Sequence, residues 1–153
     1  MIVLLIMHGI MARIDQDEVQ KVQKFVNMLN EESENGAIVV VEGKRDVDAL
    51  VSIGFNGNVV TLNNFKGVNG LVDNLEKVRK VILMLDMDRK GKYLTHKILT
   101  LLRYKGKNVD MFYKKMLAEI TKGKVRHVEE IVIYKKYISD ISQIYKGRFA
   151  SWI

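Results

Sequence analysis

The sequence contains no cysteine and no proline among its 153 residues. Without thiols the chain can form neither a disulfide nor a thiolate zinc site, and it has no cysteine nucleophile. This composition fits a reducing compartment, so we expect a cytoplasmic protein. Gly/Ser linkers, low-complexity tracts and internal repeats are also absent. The length therefore predicts one domain that buries a sizeable core.

Long apolar runs are absent as well. The apolar start MIVLLIM is only seven residues long and has no basic residue before it, unlike a membrane span or a signal peptide. We therefore expect no membrane partner. Residues 1–14 are interpreted as an N-terminal extension, for which a surface strand, a partner contact and a misassigned start codon are alternatives. We favour the last, with Met7 or Met11 as the start.

Basic residues are scarce in the first part of the chain and abundant in the second. Residues 1–88 hold 9 Lys/Arg and 13 Asp/Glu, whereas residues 89–153 hold 16 and 5. A basic half favours polyanions such as nucleic acid, and it could also bind a protein partner. Lysine-rich, solvated helix faces explain the excess about as well. Charge does not predict the oligomeric state.

Short β-branched runs alternate with helical patterns along the chain. Strands are predicted at 37–42, 58–62, 80–85 and 107–113. Helices are predicted at 17–33, 44–53, 67–79 (or an irregular crossover), 89–104, 114–121 and 127–138. This alternation predicts an α/β protein with three layers and a central, mostly parallel sheet of about four strands. Residues 15–112 would form the main domain, and residues 113–153 a basic helical extension packed on it.

Acidic residues follow two of these strands. Glu42 ends AIVVVE, while Asp86 and Asp88 come after the strand in VILMLDMDRKG. Ligands of parallel sheets bind at the carboxyl ends of the strands, so the three carboxylates meet if the two strands are neighbours. Such a cluster needs a compensating cation, and oxygen ligands suit Mg²⁺ or Mn²⁺. Asp-x-Asp alone is weak evidence, because phosphatases, receiver domains, sugar-nucleotide transferases and plain turns also contain it.

Glycines and basic residues surround these acids. Gly43 and Gly91 would let the backbone approach a ligand at the start of a helix. Five basic side chains could contact phosphates, or be ordinary solvated helix starts: Lys44, Arg45, Arg89, Lys90 and Lys92. The three histidines His8, His96 and His127 have no partner at metal spacing. His96 is interpreted as a surface or satisfied residue, and His127 as a helix start followed by acids rather than a second metal site.

The pairing of VVVEGKRD with LMLDMDRKG resembles the Toprim domain, over about residues 36–112. This catalytic fold is shared by bacterial-type primases, topoisomerases, overcoming-lysogenization-defect nucleases and the ribonuclease that matures 5S ribosomal RNA. The family pattern is a strand ending in Glu-Gly, an Asp shortly after, and a strand ending in Asp-x-Asp before a glycine that opens a helix. The chain as a whole resembles the small stand-alone Toprim proteins of archaea.

The resemblance implies a Rossmann-like fold in which Asp86 and Asp88 hold Mg²⁺ and Glu42 is a metal ligand or general acid/base. Asp46 would support the site, together with Gly43 and Gly91. Lys90 departs from the family pattern, where a small residue is common at this position.

Topoisomerase and primase activities need modules that do not fit this length. A Mg²⁺-dependent ribonuclease-like enzyme is therefore the leading hypothesis, with RNA preferred over DNA. A non-catalytic nucleic-acid or ribonucleoprotein binding module is the alternative, and a small-substrate phosphatase or phosphotransferase is the third.

Overall fold

The computed structural model describes residues 2–7 and 10–138, with side chains from Ile14 onward. Strands β1 (Ile2–Met7) and β2 (Ile10–Asp15) form an antiparallel pair, so residues 2–7 are a strand. Helix α1 (Gln16–Glu34) follows at once. It begins there because Asp15 Oδ1 accepts a hydrogen bond of 2.7 Å from the Glu18 amide.

A second sheet forms the centre of the molecule. It consists of β3 (Ala37–Val41), β4 (Val59–Thr61), β5 (Lys80–Leu83) and β6 (Asn108–Asp110). The order is β4-β3-β5-β6 and every pair is parallel, which confirms the predicted sheet. β5 ends earlier than predicted, yet the Met84 amide still donates to the Val40 carbonyl at 2.9 Å. The chain therefore stays beside β3 as it approaches the acidic residues.

The remaining elements are helical. They are α2 (Lys44–Ser52), a 3₁₀ turn (Leu62–Asn64), α3 (Gly67–Asn74), α4 (Arg89–Tyr104), α5 (Phe112–Ile120) and a 3₁₀ helix (Val128–Tyr134). Several predicted boundaries were wrong, among them those of the last strand and the last helix. The last strand stops at Asp110, whose Oδ1 accepts from the Phe112 amide at 2.7 Å and so turns the chain into α5. The predicted helix over 127–138 is 3₁₀ in its first half and α-helical only from residue 135 to 138.

Two apolar cores cover the two faces of the central sheet. On one face, α1, α2, α5 and the 3₁₀ helix Val128–Tyr134 pack against alternate strand residues such as Val39 and Ile82. On the other face, α3 and α4 pack against the intervening residues, such as Val40 and Val81. The fold is thus a three-layer α/β sandwich. No helix in the described residues is long and apolar enough to cross a membrane. Residues 139–153 of the predicted C-terminal extension lie outside the described residues.

A buried carboxylate ties the C-terminal region to α1. Glu18 is 2% exposed and accepts hydrogen bonds from Lys124 Nζ at 2.8 Å and Tyr134 Oη at 2.5 Å. Because Glu18 is out of contact with water, it depends on these two donors for its hydrogen bonds.

We therefore expect Tyr134→Phe to lower the free energy of unfolding by about 1.5–3 kcal/mol, because it leaves a buried carboxylate oxygen without its donor. Urea unfolding measures this change. The matched variant Tyr104→Phe removes the same hydroxyl from a side chain that is 91% exposed. It should change stability by less than about 0.5 kcal/mol. Equal effects of the two variants would contradict a stabilising role for the Tyr134 hydrogen bond.

Candidate metal centre

The winding of the sheet reverses between β3 and β5. From β3 the chain crosses through α2 on one face to β4, and from β5 it crosses through α4 on the other face to β6. β3 and β5 are neighbours, so the condition for bringing their acidic ends together is fulfilled. A crevice opens at such a reversal, outside the carboxyl ends of the strands. Glu42 follows β3 there, and Asp86 and Asp88 follow β5.

Three potential metal ligands converge beside this crevice. One ligand atom each from Asp86, Asp88 and His127 lie within 4.8 Å of one another. His127 Nδ1 is 3.2 Å from Asp86 Oδ2. His127 also begins the 3₁₀ helix, where its amide donates to Glu130 Oε1 at 2.7 Å, so the predicted helix start is confirmed. The expectation that His127 lacks a partner at metal spacing was wrong, because packing of this helix against α2 brings it to the aspartates.

Glu42 lies outside that group of three, but the charges of Asp86 and Asp88 act on its carboxyl group. Burial raises the pKa of Glu42, and the negative charges of Asp86 and Asp88 raise it further, while Lys90 opposes them. Glu42 Oε1 and Asp86 Oδ1 are buried without a hydrogen-bond partner among the described residues. Unpaired buried carboxylate oxygens are costly, so both atoms fit a bound cation. Carboxylates suit Mg²⁺ and Mn²⁺, and the imidazole favours Mn²⁺ of the two.

Local hydrogen bonds fix the loops that carry these acids. Asp46, which is 7% exposed, accepts from the Gly43 amide at 3.1 Å and so holds the turn after Glu42. Burial raises the pKa of Asp46, and this hydrogen bond acts in the opposite direction. Asp88 caps α4, since its Oδ1 accepts from the Gly91 amide at 2.7 Å. A Cβ on Gly91 would lie 1.9 Å from the Asp86 carbonyl oxygen, so the loop requires glycine there.

Comparison with known proteins agrees with this geometry. The model of the Toprim domain matches residues 36–113. The chain belongs to the Toprim domain family. A UPF0292 protein of Archaeoglobus fulgidus is 38% identical over 116 residues, which cover 76% of this chain and 90% of that protein. The DNA primase DnaG of Staphylothermus marinus is 38% identical over 66 residues, which cover 43% of this chain and 15% of the primase.

A solved structure of a protein from Aquifex aeolicus is also similar. It has 34% sequence identity and a TM-score of 0.61, and the match covers 71% of this chain and 96% of that one. The match to the archaeal UPF0292 proteins confirms the predicted resemblance to small stand-alone Toprim proteins. The structural match thus spans nearly the whole length of the Aquifex aeolicus protein.

The basic residues predicted to contact phosphates surround the Toprim crevice. Lys44 and Arg45 open α2, Arg89, Lys90 and Lys92 lie in the first turn of α4, and all five are exposed. The charge of Lys90 acts to lower the pKa of Glu42. Contact with phosphates stays a prediction for all five.

Sequence reasoning missed two side chains at this Toprim site. His127 was noticed only as a helix start, and Lys114, which is 9% exposed, was not noticed at all. Burial lowers the pKa of Lys114, and the negative charges of Asp86, Asp46, Glu130 and Glu42 oppose that shift. An amphipathic pattern such as FYKKML gives no sign that one of its two lysines points inward. His96, in contrast, is exposed, as predicted.

The contact between His127 and Asp86 makes stability depend on pH in the metal-free protein. The hydrogen bond to Asp86 is the main cause that raises the pKa of His127 above 6.5. The pair therefore stabilises the fold below about pH 6.5, and this stabilisation is lost as the pH rises through the raised pKa. In EDTA we expect His127→Gln to lower the free energy of unfolding at about pH 5.5, by less than about 1 kcal/mol because the side chain is 40% exposed.

At about pH 9 the same variant should match the wild type, since the imidazole is neutral in both states. Urea unfolding at the two pH values measures the difference, with the exposed His96→Gln as control. A loss that is equal at both pH values would show that packing, and not the ion pair, is responsible.

Proposed function

We propose that this Toprim protein is a Mg²⁺- or Mn²⁺-dependent enzyme that cleaves nucleic-acid phosphodiesters, with RNA preferred over DNA. The observation that carries the proposal is the convergence of Asp86, Asp88 and His127 beside Glu42 at the crevice of the sheet. The similarity to a DNA primase supports a nucleic-acid substrate. RNA processing in the cytoplasm is the role that follows.

Each residue of the site would have a role that follows from its position and charge. Asp86, Asp88 and His127 would hold the ion, which when bound supplies Lewis-acid activation of a phosphodiester and neutralises developing charge. Glu42 would act as the proton acceptor or donor, because its raised pKa lies nearer to neutral pH than that of an exposed glutamate. Asp46 would keep Glu42 in place through its bond to the Gly43 amide. The exposed lysines and arginines at the starts of α2 and α4 would attract the phosphate backbone.

Titration calorimetry with Mg²⁺ and Mn²⁺ tests the metal site. We expect the wild type to bind, and the double variant Asp86→Asn/Asp88→Asn to lose roughly a hundredfold in affinity or more, because both charged ligands are removed. Glu42→Gln should weaken binding less, since Glu42 lies outside the group of three. Asp48→Asn is the matched control, because this carboxylate lies on α2 but is exposed.

If the wild type bound neither ion, even with an oligonucleotide added, the catalytic proposal would be wrong. Metal and RNA binding without cleavage would favour the binding module. Turnover of a generic phosphoester that is insensitive to salt would instead favour the small-substrate enzyme.

A further inference from the structure

A cavity of about 430 Å³ opens beside Asp86, on the side away from Glu42's strand. It lies between the carboxyl end of β5, the first turns of α4 and the start of α5. Apolar side chains form its floor, among them Leu85, Leu99 and Met111. A cavity of this size with an apolar floor and a few polar groups is typical of a small-molecule site.

Lys114 lies in the lining of this cavity without a hydrogen-bond partner. Its side chain is 9% exposed, and its Nζ is buried and makes no hydrogen bond to any described residue. Burial lowers the pKa of Lys114, whereas the charges of Asp86 and its acidic neighbours oppose that shift, and none of these acids accepts a hydrogen bond from the lysine. An ammonium buried in this way is costly unless an anion completes its shell. The N–H groups of Lys114 thus have no acceptor among the described residues, and an anion that entered the cavity would supply one.

Further cations lie at the mouth of the same cavity. Lys92 and Lys115 are exposed members of the lining, as is His96, and Thr95 adds a hydroxyl. The cavity is larger than inorganic phosphate requires. A purely ionic ligand would also leave the apolar floor without a contact. A ligand that joins an anion to a flat, weakly polar ring satisfies both parts.

We propose that this cavity binds one nucleotide, with its phosphate at Lys114 and its base on the floor formed by Leu85, Leu99 and Met111. Methionine and leucine side chains pack well against the faces of flat rings. The nucleotide would then lie directly beside Asp86. This inference rests on the proposed function for the source of the nucleotide, which is the end of a nucleic-acid strand whose next phosphate reaches the metal centre.

Calorimetry in EDTA with adenosine 5′-monophosphate, inorganic phosphate and adenosine tests the cavity separately from the metal. We expect the nucleotide to bind more tightly than either part, because only the nucleotide fills both regions. Lys114→Met should weaken its binding roughly tenfold or more, since a hydrogen bond to a charged group is lost. Lys97→Met is the matched control, because Lys97 is exposed on α4 outside the cavity, and it should stay within about twofold of the wild type.

A second variant tests the cavity independently, in case Lys114→Met does not fold. Thr95→Trp fills the cavity from its half-buried rim, so it should abolish nucleotide binding while the lysines stay in place. Nucleotide binding that is no tighter than phosphate binding, or that is equally affected by Lys114→Met and Lys97→Met, would overturn the proposal. Unchanged binding in Thr95→Trp would also overturn it.

Competition between the nucleotide and a 5′-phosphorylated tetraribonucleotide shows whether the cavity binds the end of a strand or a free nucleotide. Displacement by the tetranucleotide supports a strand end as the occupant. Failure to displace overturns the strand-end assignment and leaves a free nucleotide as the ligand. Because EDTA removes metal, these results do not depend on whether the protein cleaves RNA.

Discussion

Gly91→Ala is expected to destabilise the protein by at least about 3 kcal/mol and to abolish divalent-metal binding. The added Cβ would lie 1.9 Å from the Asp86 carbonyl oxygen, and that neighbour is backbone, which cannot rotate away. Relief requires the first turn of α4 to move away from the loop that carries Asp86 and Asp88. Urea unfolding gives the loss of stability, and Mn²⁺ titration of the folded fraction gives the loss of the site.

Gly70→Ala is the matched control for this prediction. Gly70 also lies inside a helix, α3, but its Cβ would meet only the Phe65 and Lys66 side chains, at 3.6 and 4.0 Å. Because alanine is the better helix former, this variant should stabilise the protein by up to about 1 kcal/mol. The close approach at Gly91 would be refuted if the two alanine variants were equally stable and both bound metal.

Asp88→Asn is expected to reduce RNA cleavage on the order of a thousandfold while changing RNA affinity little. Asparagine is preferred to alanine here, because Asp88 also caps α4 and asparagine caps helices about as well. Loss of cleavage can then be assigned to the missing charge and not to a frayed helix. Single-turnover kinetics gives the rate, and filter binding in EDTA gives the affinity.

Lys136→Gln is the complementary variant, since Lys136 is exposed in the basic C-terminal region. It should weaken RNA binding and reduce the slope of log affinity against log salt by about 0.7–0.9 if that lysine contacts one phosphate. If Asp88→Asn weakened RNA binding and left the rate per bound complex unchanged, the catalytic role of this carboxylate would be contradicted.

Local patterns predicted the part of the site that comes from the strands. The run AIVVVE is apolar on both faces, so it belongs inside a parallel sheet, and its final acid must lie at the carboxyl end. The same argument applies to the strand before Asp86 and Asp88. Whether the two strands are neighbours could not be predicted from these patterns, and the strand order β4-β3-β5-β6 places them side by side.

The contributions of the C-terminal region were not predictable in this way. His127 reaches Asp86 because the 3₁₀ helix packs on α2, and Lys114 reaches the cavity because α5 packs beside β5 and α1. Such contacts depend on tertiary packing between distant segments, and periodicity records only which face of each helix is apolar. The 3₁₀ geometry was missed because, over a single turn, both α- and 3₁₀-helices place residues i and i+3 on the same face.

The lengths of the outer strands bear on how the protein behaves when concentrated. β4 and β6 form the two edges of the central sheet, and each has only three residues, whereas β3 in the interior has five. Unpaired backbone groups on a long, flat edge recruit strands from other molecules and lead to aggregation. Here the described edges offer too few such groups for a stable foreign ladder. The central sheet should therefore resist edge-to-edge aggregation even though its interior strands are rich in valine and isoleucine.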